Sequence, residues 1–393
     1  MAIYLDHAAT TPLLPEVLAA YTEALQVVGN PSSIHSQGQA ASRMLEEARE
    51  RIAAAVGCDP IEVVLTSGGT EAVNTAVKGI FWARAASGAR RILFPGGEHH
   101  ATLDTVTWLA SSADAELVEL PVTVDARLDP AVLAAALHER DAALVTTLWA
   151  NNEVGTIQDV PALAAVARAA GVPVHADAVA AFGSVPVDFR SSGLAAMSVS
   201  AHKVGGPVGV GALVLGRTTA SQALVHGGGQ QRGIRSGTQD VAGAVAFGVA
   251  AELAVARLAE NATRLAGLRD RLVAGVLGRI PSSTLRGASP GAGRLPGNAH
   301  FTFEGCDGDS LLFLLDRAGI AVSTGSACQA GVAEISHVLL AMGLPEETAR
   351  GALRFTLGSS TTDSDIATLL EVLPEVVARA RRAGHSDRVP ALY

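Results

Sequence analysis

VPVHADAVAAFG (residues 172–183) and AMSVSAHKVGGPVGVGALVL (residues 196–215) carry the reading of the fold. Val172–Asp177 is a short apolar run that ends in a carboxylate. Ala195–Ser200 is a second such run, ending in hydroxyl and imidazole groups with Lys203 immediately behind. Gly205–Gly211 then turns into a third, Val210–Leu215. A lysine where strand ends converge, near an aspartate from a neighbouring strand end, suits a Schiff base to pyridoxal phosphate (PLP). The amine holds the aldehyde, and the carboxylate keeps the pyridine nitrogen protonated so that the ring acts as an electron sink. The plainer reading of the same residues is an ordinary surface lysine and an aspartate capping a helix.

Outward from this stretch, strands and helices alternate. Strands are predicted at Val63–Thr66, Arg91–Phe94, Glu116–Leu120 and Ala143–Leu148. Helices are predicted at Glu16–Val28, Gln39–Val56, Ala72–Ala86, from Ala101, at Pro130–His138 and at Pro161–Ala170. Such alternation implies a mostly parallel sheet wrapped by helices, with ligands at the carboxyl ends of the strands. Three polar motifs fall at those ends: Ser67–Glu71, Glu98-His99-His100 and Asn151-Asn152-Glu153. The first, strand then glycines then hydroxyl then helix, can cradle an anion on free N–H groups. It lacks the lysine of a P-loop, and an ordinary strand-to-helix turn reads the same way. A histidine in the second can stack on a ring, move a proton or sit satisfied in the core. The asparagines of the third also suit a plain turn. Gly206–Gly211 has its glycines out of order for a dinucleotide fingerprint and leads into a strand.

The second half changes character. His226–Thr238 is glycine-rich and basic, and an alanine-rich helical run from Val241 to about Leu277 links two regions. Strands at Ala299–Phe303, Ile320–Ser323 and Leu353–Phe355 and helices at Ser310–Ala318 and Ser364–Ala380 read as a smaller α+β unit. The expected division is 15–260 for the large domain, with 1–14 and 261–393 forming the small one. The polar tail after Gly384 reads as loose or as a contact arm.

The chain has 393 residues, room for two sizeable cores. With 49% hydrophobic and 17% charged residues it is globular rather than disordered. A net charge of −9 argues against a nucleic-acid groove, and the pairs Arg90-Arg91 and Arg381-Arg382 read as solvated helix ends. The longest apolar run, near Val241–Ala251, is too short for a bilayer, and no basic-then-apolar leader opens the sequence. Cys58, Cys306 and Cys328 are three, widely spaced and without CxxC. That pattern fits a reducing cytoplasm and offers neither a disulfide framework nor a zinc site. Cys328 sits in Ser323-Thr324-Gly325-Ser326-Ala327-Cys328, among residues too small to pack a core. An accessible, reactive thiol is one reading of it; a thiol buried as a small hydrophobe is the other.

Taken together these stretches resemble the cysteine desulfurases of the NifS/IscS type, in the fold type I class of PLP enzymes (class V aminotransferase-like). The resemblance covers nearly the whole chain: YLDHAATTP, GNPSSIH, TSGGTEAVN, EHHATLD, WANNEVGT, HADA, SAHKVGGPVGVG, HGGGQQRGIRSGT, STGSAC and LRFTLG occur in that order. It implies a seven-stranded, mostly parallel sheet with a smaller α+β domain. It implies PLP as cofactor, with Lys203 as its Schiff-base lysine, Asp177 beneath the pyridine nitrogen and His99 stacked on the ring. Gly69, Thr70, Ser200 and His202 match the phosphate cradle, and Thr238 a phosphate contact given across a homodimer interface. Asn152 matches a residue near the cofactor's phenolic oxygen and the substrate, and Arg354 the grip on the substrate carboxylate. Cys328 matches the cysteine that takes the sulfur of L-cysteine as a persulfide, for a sulfur-acceptor or Fe–S scaffold protein. The chain departs from the family at Ala180, where the family carries a glutamine that donates to the phenolic oxygen.

The implied activity is therefore conversion of L-cysteine to L-alanine with sulfur transfer to Cys328. A cysteine or selenocysteine lyase, a C–S lyase releasing sulfide directly, and a non-catalytic scaffold descended from such an enzyme are the alternatives; only Ala180 favours the last.

Overall fold

The structure, a computed structural model, describes residues 2–325 and 335–386. Strand β1 (Ile3–Tyr4) is not part of the main sheet. The main sheet is built from β2 (Val63–Thr66), β3 (Arg91–Pro95), β4 (Glu116–Leu120), β5 (Leu144–Leu148), β6 (Val174–Asp177), β7 (Ala196–Ser200) and β8 (Gly211–Leu215). Their order across the sheet is β2-β8-β7-β6-β5-β3-β4, and only β8 runs antiparallel to its neighbours. The central strands β3, β5, β6, β7 and β8 are buried along their whole length. That is why they read as continuous apolar runs rather than alternating ones.

Around the sheet lie α1 (Pro15–Ala24), α2 (Ser36–Val56), α3 (Gly69–Ala85), α4 (His100–Ala113), α5 (Pro130–Glu139), α6 (Val160–Ala169), the single turn α7 (Phe189–Ser192) and α8 (Val241–Ala256). Asp129 and Asp159 cap α5 and α6 by accepting from first-turn N–H groups, each with proline in the first turn. One large apolar cluster joins α2, α6 and α8 to a face of the sheet; a second packs α3 and α4 on the other. Each fully buried Leu, Ile or Phe there contributes about 1.5–3 kcal/mol.

The expected single helix from Val241 to Leu277 is two, α8 and α9 (Leu258–Arg279), meeting at Arg257 with a bend of 67°. The packing explains the bend. α8 is alanine- and glycine-rich and presses on α2, whereas α9 turns its Leu268, Leu272 and Val276 to a different core. No single helix among the described residues is long and apolar enough to cross a membrane.

That other core also collects β9 (Ser283–Arg286), β10 (Asn298–Phe303), α10 (Gly308–Arg317) and β11 (Ile320–Ala321), together with β12 (Ala352–Thr356) and α13 (Asp363–Ser386), whereas α11 (His337–Ala341) and α12 (Glu346–Arg350) pack in a small cluster of their own with Ala126 and Val154. Its sheet is antiparallel, in the order β12-β10-β9, and Leu5 from the chain start is buried in the same cluster. β9 is not anticipated by the sequence: its side chains are exposed or half-buried, so no apolar run marks it. The predicted strand Ile320–Ser323 keeps only its first two residues in a ladder, pairing with β1. The architecture is thus a seven-stranded, mostly parallel α/β layer carrying a smaller α+β unit, and the N-terminal segment bridges the two.

Candidate active site

The carboxyl ends of β2, β5, β6 and β7 open on one edge of the main sheet, and each delivers a polar group. β7 ends at Ser200 and is followed by a 3₁₀ turn, Ala201–Lys203. Lys203 Nζ donates to the carbonyl oxygens of Ala8 and, at 2.7 Å, Ala9. Burial first, and the positive charge of Arg354 second, bring the Lys203 ammonium down to about 8. An amine so shifted is neutral often enough near neutral pH to attack an aldehyde.

Asp177 closes β6 and is buried. Its Oδ1 accepts from the Val179 amide at 2.9 Å, and burial pushes its carboxyl up to about 6 although the Val179 hydrogen bond and Lys203 pull the other way. A buried carboxylate held in this state is a ready partner for a protonated ring nitrogen. Beneath it, His175 spans the sheet between Thr146 Oγ1 and Ser198 Oγ, each 2.9 Å away. Glu98, fully buried, accepts from the Leu148 amide at 2.8 Å. Burial, then the nearby Asp177 charge, hold its carboxyl well above the ordinary range.

His99 caps α4: its Nδ1 accepts from the Ala101 amide at 3.0 Å. The hydrogen of the neutral ring is therefore on Nε2. Burial, then the charge of Lys203, bring His99 down to about 4 and keep the ring neutral.

The start of α3 makes the anion cradle. Gly68 has φ +146°, open to glycine alone, and a Cβ on Gly69 would lie 2.7 Å from Val179 Cγ2. The helix N-terminus thus sits hard against the strand ends, with Thr70 exposed at its mouth. Helix α3 begins at Gly69, earlier than the sequence predicts, so Gly69 and Thr70 belong to its first turn. Ser200 Oγ is buried and has no hydrogen-bond partner among the described residues. Glu71 fixes the turn: it accepts from the Ser67 amide at 2.7 Å and pairs with Arg235 at 2.7 Å. Arg235 belongs to the glycine-rich loop, whose Thr238 is exposed to solvent.

Arg354 rises from β12 and is buried. It donates to the Asn152 carbonyl at 3.0 Å and to Asp6 Oδ1 at 2.9 Å. Asn152 therefore meets Arg354 through its backbone, which leaves its side-chain amide for other work. His202 Nδ1 lies 3.2 Å from Thr10 Oγ1. Asp6, Ala8, Thr10 and Thr11 are site residues that sequence reasoning did not single out. In YLDHAATTP, short polar residues near the first strand carry no local signal of what they touch.

The groups present fit PLP: a depressed amine, a buried carboxylate and a helix N-terminus with an unpartnered buried hydroxyl. A cavity of about 260 Å³ adjoins them, lined by His7, Asn152, Ala180, Lys203, Leu253 and Leu295 among others. Ala180 faces it without a donor. Cys328 lies outside the described residues; Cys58 and Cys306 are buried, with the Cys58 thiol pushed up to about 12 by burial. Neither of these two is placed to act as a nucleophile.

A lysine of depressed basicity at the carboxyl ends of a mostly parallel sheet, with a buried aspartate and a helix N-terminus nearby, fits a PLP-dependent enzyme of the α/β type. The class-V aminotransferase family matches residues 3–369, and the chain belongs to it. It is 54% identical over 383 residues to the IscS-like cysteine desulfurase of Mycobacterium tuberculosis (strain ATCC 25618 / H37Rv), covering 97% of each chain. To the cysteine desulfurase IscS of Dictyoglomus turgidum it is 42% identical over 380 residues, 96% of this chain and 95% of that one. Among solved structures, a NifS-like protein superposes with a TM-score of 0.88 at 32% identity, over 96% of this chain and 100% of the other. The structure described as SspA in complex with cysteine superposes with a TM-score of 0.78 at 30% identity, over 90% and 98%.

Proposed function

We propose that the protein is a PLP-dependent cysteine desulfurase, converting L-cysteine to L-alanine and passing the sulfur to Cys328 as a persulfide. The observation that carries this reading is the convergence of Lys203, Asp177 and Arg354 on one edge of the sheet. Bound there, PLP supplies an electron sink for charge left at the substrate α-carbon. Lys203 holds the aldehyde and then moves a proton at the α-carbon. Asp177 keeps the ring nitrogen protonated, and His99 lies beside it as a neutral imidazole with its hydrogen on Nε2. Gly69, Thr70, Ser200 and His202 hold the phosphate, and Asn152 and Arg354 orient the substrate, the guanidinium taking its carboxylate.

The overall change balances without an outside oxidant. The C–S bond breaks, its sulfur joins the Cys328 thiol, and Cβ receives the hydrogen. One L-cysteine and one thiol give one alanine and one persulfide. A sulfur-acceptor or Fe–S scaffold protein consumes the persulfide, and a reducing cytoplasm suits such a carrier. A homodimer, with Thr238 given to the second copy's phosphate, is supported by the exposed position of Thr238. The strongly exposed Val28, Ile34 and Val208 are apolar surface that a second copy would cover.

The test is to incubate holoenzyme with L-cysteine and measure alanine and sulfide, for the wild type and Cys328→Ser. A desulfurase makes alanine and loses persulfide transfer in the variant. Pyruvate and free sulfide formed equally by both proteins would mean a lyase instead, and no turnover by the yellow wild-type protein would mean a scaffold.

A further inference from the structure

Arg354 does not stand free to receive a substrate. Its Nη2 is tied to Asp6 Oδ1 at 2.9 Å and its Nη1 to the Asn152 carbonyl at 3.0 Å, while Nε is buried without a partner. Asp6 is itself fixed from both sides. Its backbone bridges Thr356 on the same strand as Arg354, the Tyr4 hydroxyl donates to its carbonyl at 3.0 Å, and, beyond His7, Ala8 and Ala9 give their carbonyls to Lys203. Its side chain is 19% exposed and that of Arg354 is 5% exposed, so the pair is largely screened from water.

A guanidinium presents its N–H groups in one rigid plane, and it grips a carboxylate most firmly when two parallel N–H groups face it. Two acceptors on two different elements define that plane here, one a loop carbonyl and the other Asp6. We infer that Asp6 is a positioning residue for the substrate-carboxylate site: it aims the Arg354 guanidinium and offsets its charge beside Lys203. Without the carboxylate, a buried cation would keep one fixed partner and could rotate about it, and it would face the amine unbalanced. The charges act in that sense, since Arg354 lowers the Lys203 pKa and Asp6 raises it. The inference rests on the proposed role of Arg354 as the partner of the substrate carboxylate.

The test uses holoenzyme carrying Asp6→Ala or Asp6→Asn. Two binding probes are followed through the change they cause in the cofactor's visible absorbance. L-alanine carries the carboxylate; cysteamine is L-cysteine without it. Asp6→Ala is expected to weaken L-alanine and raise the KM for L-cysteine by about tenfold, the worth of one charge-assisted hydrogen bond. Cysteamine binding and kcat should stay within about twofold, well below that loss. Asp6→Asn should fall between, because its amide oxygen still accepts one N–H. In both variants the pH at which the yellow chromophore titrates should move down. Equal weakening of L-alanine and cysteamine, or no change in either, would overturn the proposal. If the wild type made no alanine, the desulfurase reading would fall, yet the two binding probes would still decide the role of Asp6.

Discussion

Thr11 and His202 join the chain's first residues to the turn that carries its lysine. Thr11 Oγ1 donates to the His202 carbonyl at 2.8 Å and accepts from the Gly205 amide at 2.9 Å, while the Thr11 amide also donates to His202 O at 3.0 Å. The 3₁₀ turn Ala201–Lys203 is thus clamped by a residue some 190 positions away. Thr11→Val keeps the shape and removes the hydroxyl, leaving the Gly205 amide without its acceptor and the His202 carbonyl with the Thr11 amide alone. Stability should fall by about 1–3 kcal/mol, read as a lower urea midpoint, and PLP should dissociate faster. An unchanged midpoint would mean that water replaces the clamp.

The depressed Lys203 pKa sets a pH dependence for cofactor uptake. Only the neutral amine attacks an aldehyde, and burial brings this group from 10.5 to about 8. The rate at which apoprotein turns yellow with PLP should rise about tenfold per pH unit below that value and level off above it. Stopped-flow absorbance between pH 6 and 9.5 measures it. A rate still climbing at the upper end would show that the amine is not shifted.

Ala180 is the departure from the family that matters most for the cofactor. It faces the cavity beside Asn152 and Lys203, where there is room for a longer side chain. Ala180→Gln should therefore cost little stability, within about 0.5 kcal/mol. A new hydrogen bond to the phenolic oxygen is worth about 1.5–3 kcal/mol, so PLP release should slow at least about tenfold. Release at the wild-type rate would show that another group already serves that oxygen.

His175 and His300 are fully buried, and burial brings each down to about 3. Between pH 6.5 and 3 the unfolded chain binds protons at these sites and the folded chain does not. Stability is therefore lost as pH falls through that window and is complete above it. His175→Asn should make the loss shallower by up to about 1.4 kcal/mol per pH unit, one proton's worth, even if the variant starts less stable. Urea midpoints at pH 4, 5, 6 and 7 give the slope, and equal slopes for both proteins would count against a neutral His175.

Much of the site was legible because its groups stand at strand ends. A buried parallel strand reads as an apolar run, and the first polar residues after it must lie at the edge where ligands bind. Asp177, His99, Ser200 and Lys203 all announce themselves in this way, and so does the glycine turn before Thr70. Asp6 and Thr11 do not, because nothing in YLDHAATTP says which distant backbone or guanidinium it will meet. Glu98 stands in such a strand-end motif, but the upward shift of its carboxyl depends on burial against β5 and on the neighbouring Asp177.

Sequence alone therefore determined the alternation of strands and helices, the lysine–aspartate pair and the family resemblance, because each is written in local periodicity and in short contiguous motifs. Only the tertiary structure decided that the long alanine-rich run bends at Arg257, that Lys203 is shifted toward neutrality, and that Arg354 is held by Asp6. Those outcomes depend on burial and on contacts between residues hundreds of positions apart, and no local pattern of side chains encodes either.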